Sequence, residues 1–146
     1  DANTSVGIQE LNLSFKVSDA VQKNDTVYLL SESNPRQIWR YLAAFNSYEL
    51  AASSAVSLNK AFLEPFHNGK LLLSGSTGVY LVDPSLNWTQ SILSSGPANI
   101  PAKSTNNPEQ IMLLENNLMK IFNVNGGNLI SETTVDVNAT GFILLN

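Results

Sequence analysis

The sequence predicts an all-β protein of about three four-stranded antiparallel units. Three observations carry that prediction. Apolar runs are short and are bounded by Gly, Pro, Asn and Ser. One strand–turn–strand–turn passage, Gly69 to Asn87, has weaker copies about forty residues to either side. The Asn68-Gly69 pair that opens it is the strongest short hairpin signal in the chain, because both central residues of the matching turn need φ > 0.

Taken in order, Leu11, Leu13, Phe15 and Val17 alternate with polar residues and predict a half-buried strand over 11–18. Val6 and Ile8 share the pattern out of phase, which a bulge near Gln9-Glu10 would reconcile. Lys23-Asn24-Asp25 reads as a turn, Val27 to Leu30 as a strand, and Pro35 as its breaker. Gln37 to Phe45 is apolar and aromatic. Tyr48 to Val56 follows as a strand, although its alanines also suit a helix. Ala61 to Phe66, Leu71 to Leu73, Val79 to Val82 and Trp88 to Leu93 are further strands, divided by turns at His67–Gly69, Gly75–Gly78 and Asp83–Ser85. Ser94 to Asn107 reads as a polar loop. Ile111 to Leu114, Leu118 to Val124 and Leu129 to Val137 follow, with an apolar strand at the end, over 139–146.

The repeat rests on aligned landmarks. The triplets Tyr28-Leu29-Leu30, Leu71-Leu72-Leu73 and Met112-Leu113-Leu114 are spaced by 43 and 41 residues. Ile38, Val79 and Met119 in the next strand are spaced by 41 and 40. Later turns centre near Asn46, Ser85 and Gly126, and then near Leu58, Gly96 and Asn138. The units run roughly over 11–58, 59–96 and 97–138, in a chain that is one domain or a fragment of a larger one. A period of about 40 residues with four short strands marks a β-propeller blade. The passage Leu118 to Ile130 resembles the third-strand, turn, fourth-strand portion of WD-type and quinoprotein-type blades. It lacks a Trp-Asp dipeptide, a Gly-His pair or a kelch double glycine in register. The resemblance, over about Leu11 to Asn146, implies propeller-like blades in an incomplete ring, because propellers are built from about 4–8 blades. The ring would then be completed by more of the polypeptide or by further copies.

A rival α+β reading places helices near 41–56 and 108–124. Tyr41, Phe45, Tyr48, Ala52 and Val56 have roughly helical spacing. Asn107 and Pro108 form a helix-start pattern, and Ile111, Leu114, Leu118 and Ile121 fall on one helical face before Asn125-Gly126.

Composition restricts the chemistry. Charged residues make up 14%, against about 25% in ordinary domains, and 18 Asn and 17 Ser supply the polarity instead. The eight basic residues are scattered, so no stripe awaits nucleic acid. The absence of cysteine removes disulfides and thiolate sites. No apolar run is long enough to span a bilayer as a helix. His67, the one histidine, reads as an exposed turn residue. Gly75-Ser76-Thr77-Gly78 fits neither a nucleophile elbow nor a phosphate loop. Asn123 to Asn128 lacks the carboxylates of a calcium site. No metal and no cofactor is expected.

Arg36, Trp39, Arg40 and Tyr41 form the one cluster with binding character, and Trp88 is a second aromatic suited to stacking on a sugar ring. The bland reading makes one face of Ile38–Leu42 core and the other a stem-packing surface. N-glycosylation sequons stand at Asn3, Asn12, Asn24, Asn87 and Asn138. The resulting expectation is a non-enzymatic module, extracellular or on the cell surface. It binds a protein or a glycan, or assembles with copies of itself through sheet edges. One alternative is a filament or surface-layer subunit that donates its last strand, Phe142 to Leu145, to a neighbour. Another is a hydrolase built on the acid pairs Glu109/Glu115 or Glu32/Glu49.

Overall fold

A computed structural model describes residues 12–53 and 57–135. The first blade comprises β1 (Val17–Lys23), β2 (Thr26–Ser31), β3 (Gln37–Leu42) and β4 (Ser47–Ser53). The second comprises β5 (Phe62–Pro65), β6 (Leu71–Gly75), β7 (Gly78–Asp83) and β8 (Trp88–Leu93). The third comprises β9 (Lys103–Ser104), β10 (Gln110–Glu115), β11 (Leu118–Asn123) and β12 (Leu129–Thr134). Each set is one antiparallel meander paired in chain order, so the described residues form three four-stranded sheets and no closed barrel. The arrangement is an incomplete propeller-like array.

Asparagine sets the turns. Asn24, Asn46, Asn68, Asn87, Asn116 and Asn117 all have positive φ, a conformation that Asn tolerates better than other side chains. Asn116 and Asn117 are the two residues between the paired ends Glu115 and Leu118, where a tight hairpin needs left-handed backbone. At Asn68 and Gly69 both φ values are positive, 54° and 75°, and the Lys70 N–H closes the turn on the His67 carbonyl at 3.1 Å. The asparagine excess is therefore partly a record of hairpin geometry.

The core lies between blades. Tyr28, Leu30, Ile38 and Ala52 of the first blade meet Leu63, Leu71, Leu73 and Val82 of the second. The opposite face of the second blade, Leu72, Val79, Leu81 and Ile92, meets Ile111, Leu113 and Val124 at the third. Each blade thus has a near face, toward the start of the array, and a far face, toward its end. Alternation along a strand assigns successive residues to the two.

These contacts correct the register of the middle triplet. Leu30 pairs with Ile38, Ser74 with Val79, and Leu114 with Met119. The equivalents of Tyr28-Leu29-Leu30 and Met112-Leu113-Leu114 are therefore Leu72-Leu73-Ser74, one residue later than the sequence alignment places them. A one-residue slip exchanges the faces of a strand. Three successive leucines hide the slip, because each matches either face equally well.

Four other expectations change. The first strand is Val17–Lys23 rather than 11–18, and its burial still alternates with period two. The inward positions Asp19 and Lys23 are polar, so hydrophobic alternation does not reveal them. The bulge expected near Gln9-Glu10 lies outside the described residues, as does the strand expected over 139–146. The loop over 94–107 contains the two-residue strand β9, paired with Ile111 and Met112. Neither long helix forms. Asn46, at φ 45°, ends a single 3-10 turn at Ala43–Phe45. In the second region, the Asn107 carboxamide accepts the Glu109 N–H at 2.9 Å, as a helix cap would, but β10 begins at Gln110. The left-handed pair Asn116-Asn117 then interrupts any helix through 108–124.

Candidate functional site

The first strands of successive blades lie side by side, β1 against β5 and β5 against β9. Polar side chains fasten them. The Asp19 carboxylate accepts the Leu63 N–H at 2.7 Å, and the Lys23 ammonium donates to the Phe66 carbonyl. One step along, Lys103 Nζ and Glu64 Oε1 form an ion pair at 2.7 Å. Sequence reasoning missed these residues. Their only signal is a charge placed at the inward phase of the alternation, where a side chain must find a partner on the next blade.

Arg36 is the most deeply buried cation, with 5% of its surface exposed. Its Nε and Nη2 donate to the Leu58 carbonyl at 2.9 and 2.7 Å, and Nη2 also reaches the Asn59 carbonyl at 2.8 Å. Nη1 donates to the Ser31 carbonyl at 2.9 Å. The planar fork thus ties the end of β2 to the connection between the first two blades, a geometry lysine lacks. A cleft of about 380 Å³ opens beside it, lined by Ser18, Glu32, Arg36, Asn59, Lys60 and Phe62.

The structure divides the cluster that the sequence grouped with Arg36. Arg40 lies on the far face and is ion-paired with Glu49, whose hydrogen bond holds the guanidinium more firmly protonated than usual. Trp39 lies on the near face of the first blade. Phe15 stacks on its ring with centres 4.7 Å apart, and Tyr48 meets it edge-on at 5.5 Å. The Trp39 indole N–H is buried and has no acceptor among the described residues. Tyr41 donates its hydroxyl to Asn46 Oδ1 at 2.9 Å. The Tyr48 hydroxyl donates to the Ser14 hydroxyl at 3.2 Å and accepts the Ser14 N–H at 3.1 Å, and hydrogen bonding with Ser14 holds the phenol below its ordinary pKa. The near face is therefore an aromatic sheet surface, whereas Arg36 belongs to the joint between blades.

Trp88 lies apart, 40% exposed, with the Lys70 ammonium 5.3 Å from its ring centre. Of the sequons, Asn12, Asn24 and Asn87 are exposed, and Asn24 and Asn87 occupy left-handed turn positions. Asn3 and Asn138 lie outside the described residues. His67 is half-buried rather than exposed, with Nε2 2.6 Å from the Thr105 carbonyl and its ring edge-on to Phe66. In the proposed acid pairs, Glu49 is bonded to Arg40 and Glu115 to Lys120. Among the described residues no three His, Asp or Glu lie close enough to hold a metal ion, and no helix is long and apolar enough to cross a membrane.

No protein-family description matches the chain, and no curated protein is similar to it in sequence. Solved structures are similar in fold. A structural-genomics protein of unknown function from Bacteroides thetaiotaomicron superposes with a TM-score of 0.60 at 13% identity, over 86% of this chain and 33% of that one. A chain of a nidogen/laminin complex superposes with a TM-score of 0.56 at 12% identity, over 80% of this chain and 48% of its own length. The fold is of the propeller type. The chain spans a third to a half of those two proteins. The computationally designed Ika4 protein, at 9% identity and a TM-score of 0.61, is matched over 89% of its length by 96% of this chain.

Proposed function

We propose that this chain is a non-enzymatic interaction and structural module that works outside the cell or at its surface. It binds a protein or a glycan, or copies of itself, through the faces and edges of its blades. One observation carries the reading: among the described residues, the first of three blades has an aromatic near face, made of Phe15, Trp39 and Tyr48. Aromatic side chains of this kind give large contact area at low entropic cost. Exposed sequons on hairpin turns support an extracellular setting, because a glycan there disturbs no packing. That one structural neighbour belongs to a complex of nidogen and laminin favours a protein partner over a glycan.

Cross-linking of the chain in its natural setting, followed by mass spectrometry, tests this. Cross-links joining the first or third blade to another polypeptide are expected. Links confined to one copy of the chain would end the proposal. The masses of peptides containing Asn24 and Asn87 test the compartment, and unmodified asparagine at both would count against a glycosylated, secreted protein.

A further inference from the structure

The connection between the second and third strands is five residues long in the first blade, over 32–36, and two in each of the others, over 76–77 and 116–117. None of the five belongs to an apolar layer. The longer loop instead supplies Glu32 and Arg36 to the cleft of about 380 Å³, and the connection between the first two blades supplies Asn59, Lys60 and Ala61. Arg36 fixes the two contributions to each other. It holds the carbonyl of Ser31, next to Glu32, and those of Leu58 and Asn59, next to Lys60. The Glu32 N–H donates to the Lys16 carbonyl at 2.8 Å. The end of β6 packs so closely on the Lys60 main chain that a Cβ on Gly75 would clash with the Lys60 carbonyl oxygen. The backbone of both walls is therefore set before any ligand arrives, which lowers the ordering cost of binding. The side chains on this frame are unspent. Among the described residues, those of Glu32, Asn59 and Lys60 have no hydrogen-bond or ion-pair partner. Elsewhere neighbouring opposite charges pair directly, as Arg40 does with Glu49, Lys103 with Glu64 and Lys120 with Glu115. Glu32 and Lys60 line one cleft and do not.

We propose that this cleft binds a small zwitterion of the amino-acid type, either a free amino acid or a short peptide. Glu32 accepts the ligand's ammonium group. Lys60 and the Asn59 carboxamide donate to its carboxylate. Ala61 and the half-buried Phe62 give apolar surface for its side chain. The volume lies within the range of about 300–1,000 Å³ usual for small-ligand sites. A simple anion would use Lys60 and be repelled by Glu32, and a simple cation would meet the reverse. A ligand with both charges uses both groups, and charge-assisted hydrogen bonds at its two ends fix its orientation. Arg36 shapes the cleft rather than touching the ligand, because its N–H groups are directed at the Ser31, Leu58 and Asn59 carbonyls and the Ser18 hydroxyl. The site goes beyond the module reading. It lies at a joint between blades rather than on the aromatic near face, so either can fail without the other.

Calorimetric titration of the 146-residue chain with the common L-amino acids, one at a time, tests the site. Each amino acid that binds is then compared with its N-acetyl derivative, its amide and its dipeptide. Binding at millimolar concentration or below is expected. Blocking either charged end should weaken it about tenfold, the scale of one charge-assisted hydrogen bond. Glu32→Gln should erase the discrimination against the N-acetyl form, and Lys60→Met the discrimination against the amide. Both residues are exposed, so the far-UV spectrum should not change. Tighter binding of the dipeptide would make the ligand a peptide, and tighter binding of the amino acid would make it a small solute. Either order upholds the zwitterion chemistry. No binding at millimolar concentration would overturn the proposal, and so would equal affinity for blocked and unblocked forms. Discrimination that either substitution leaves intact would overturn it as well. A silent titration beside positive cross-linking to another polypeptide would remove this site and leave the module reading standing.

Discussion

The joint between the first two blades and the joint between the last two bury similar leucine surfaces but fasten their edges differently. At the first, a buried guanidinium gathers the carbonyls of Ser31, Leu58 and Asn59. At the second, the buried Ser74 hydroxyl accepts the Ala102 N–H at 3.1 Å, and His67 reaches Thr105. The difference follows from the connections. At the first crossing the carbonyls of Leu58 and Asn59 face inward, and a single arginine meets both. At the second, the Ala102 N–H faces inward and a hydroxyl meets it. Repeated blades thus share their apolar layers and differ in how each connection settles its unpaired backbone groups.

Four measurements break or sharpen that contrast, in decreasing order of expected effect. Leu72→Ala removes a fully buried side chain from the second joint, and urea denaturation should show a loss of about 3 kcal/mol. A loss below about 1 kcal/mol would mean that the apolar layer is not what holds this joint. Arg36→Lys keeps the charge but loses the fork. It should cost about 2 kcal/mol, in the range for hydrogen bonds to charged groups, and thermal melting should show little rescue relative to Arg36→Ala. Equal stability of wild type and Arg36→Lys would make the charge alone sufficient. Ser74→Ala leaves the Ala102 N–H without its acceptor, and a decrease of about 1 kcal/mol is expected in the same assay.

The smallest effect is one of pH. The Asp83 carboxyl lies below its ordinary pKa chiefly because the Ser85 hydroxyl donates to it, at 2.6 Å, while partial burial opposes the shift. The unfolded chain therefore binds its proton first as pH falls. The stabilisation is present above the ordinary carboxylate range and is lost as pH drops through the lower, folded value. Asp83→Asn should flatten the acid limb of stability against pH. An unchanged limb would show that this turn adds nothing to acid sensitivity.

The same contrast explains what the sequence concealed. β6 is buried at all five residues, and β12 is exposed at all six, although both contain apolar residues. Leu129 and Ile130 are 52% and 48% exposed because β12 is the outer edge of its sheet. No local pattern records that position. The candidate site suffered similarly. Arg36, Trp39, Arg40 and Tyr41 are neighbours in sequence, yet alternation along β3 sends Trp39 and Arg40 to opposite faces, and Arg36 turns inward to a connection 22 residues away. Asp19, Lys23, Glu64 and Lys103 bear no motif and gain meaning only when the first strands of the blades converge.

The sequence alone determined most of the strands, their turns and the period of about forty residues, but not the bounds of β1 or the existence of β9. Alternation, Asn-Gly pairs and prolines act within a few residues, so their physics is local. It also favoured the blade class over the rival α+β reading, because four short strands per period leave few other ways to bury two faces of a sheet. The tertiary structure decided the register of the leucine triplet, the inward polar positions of β1 and the burial of Arg36. Each depends on which face meets the next blade and which carbonyls a connection leaves unpaired, and those are relations between residues distant in the chain.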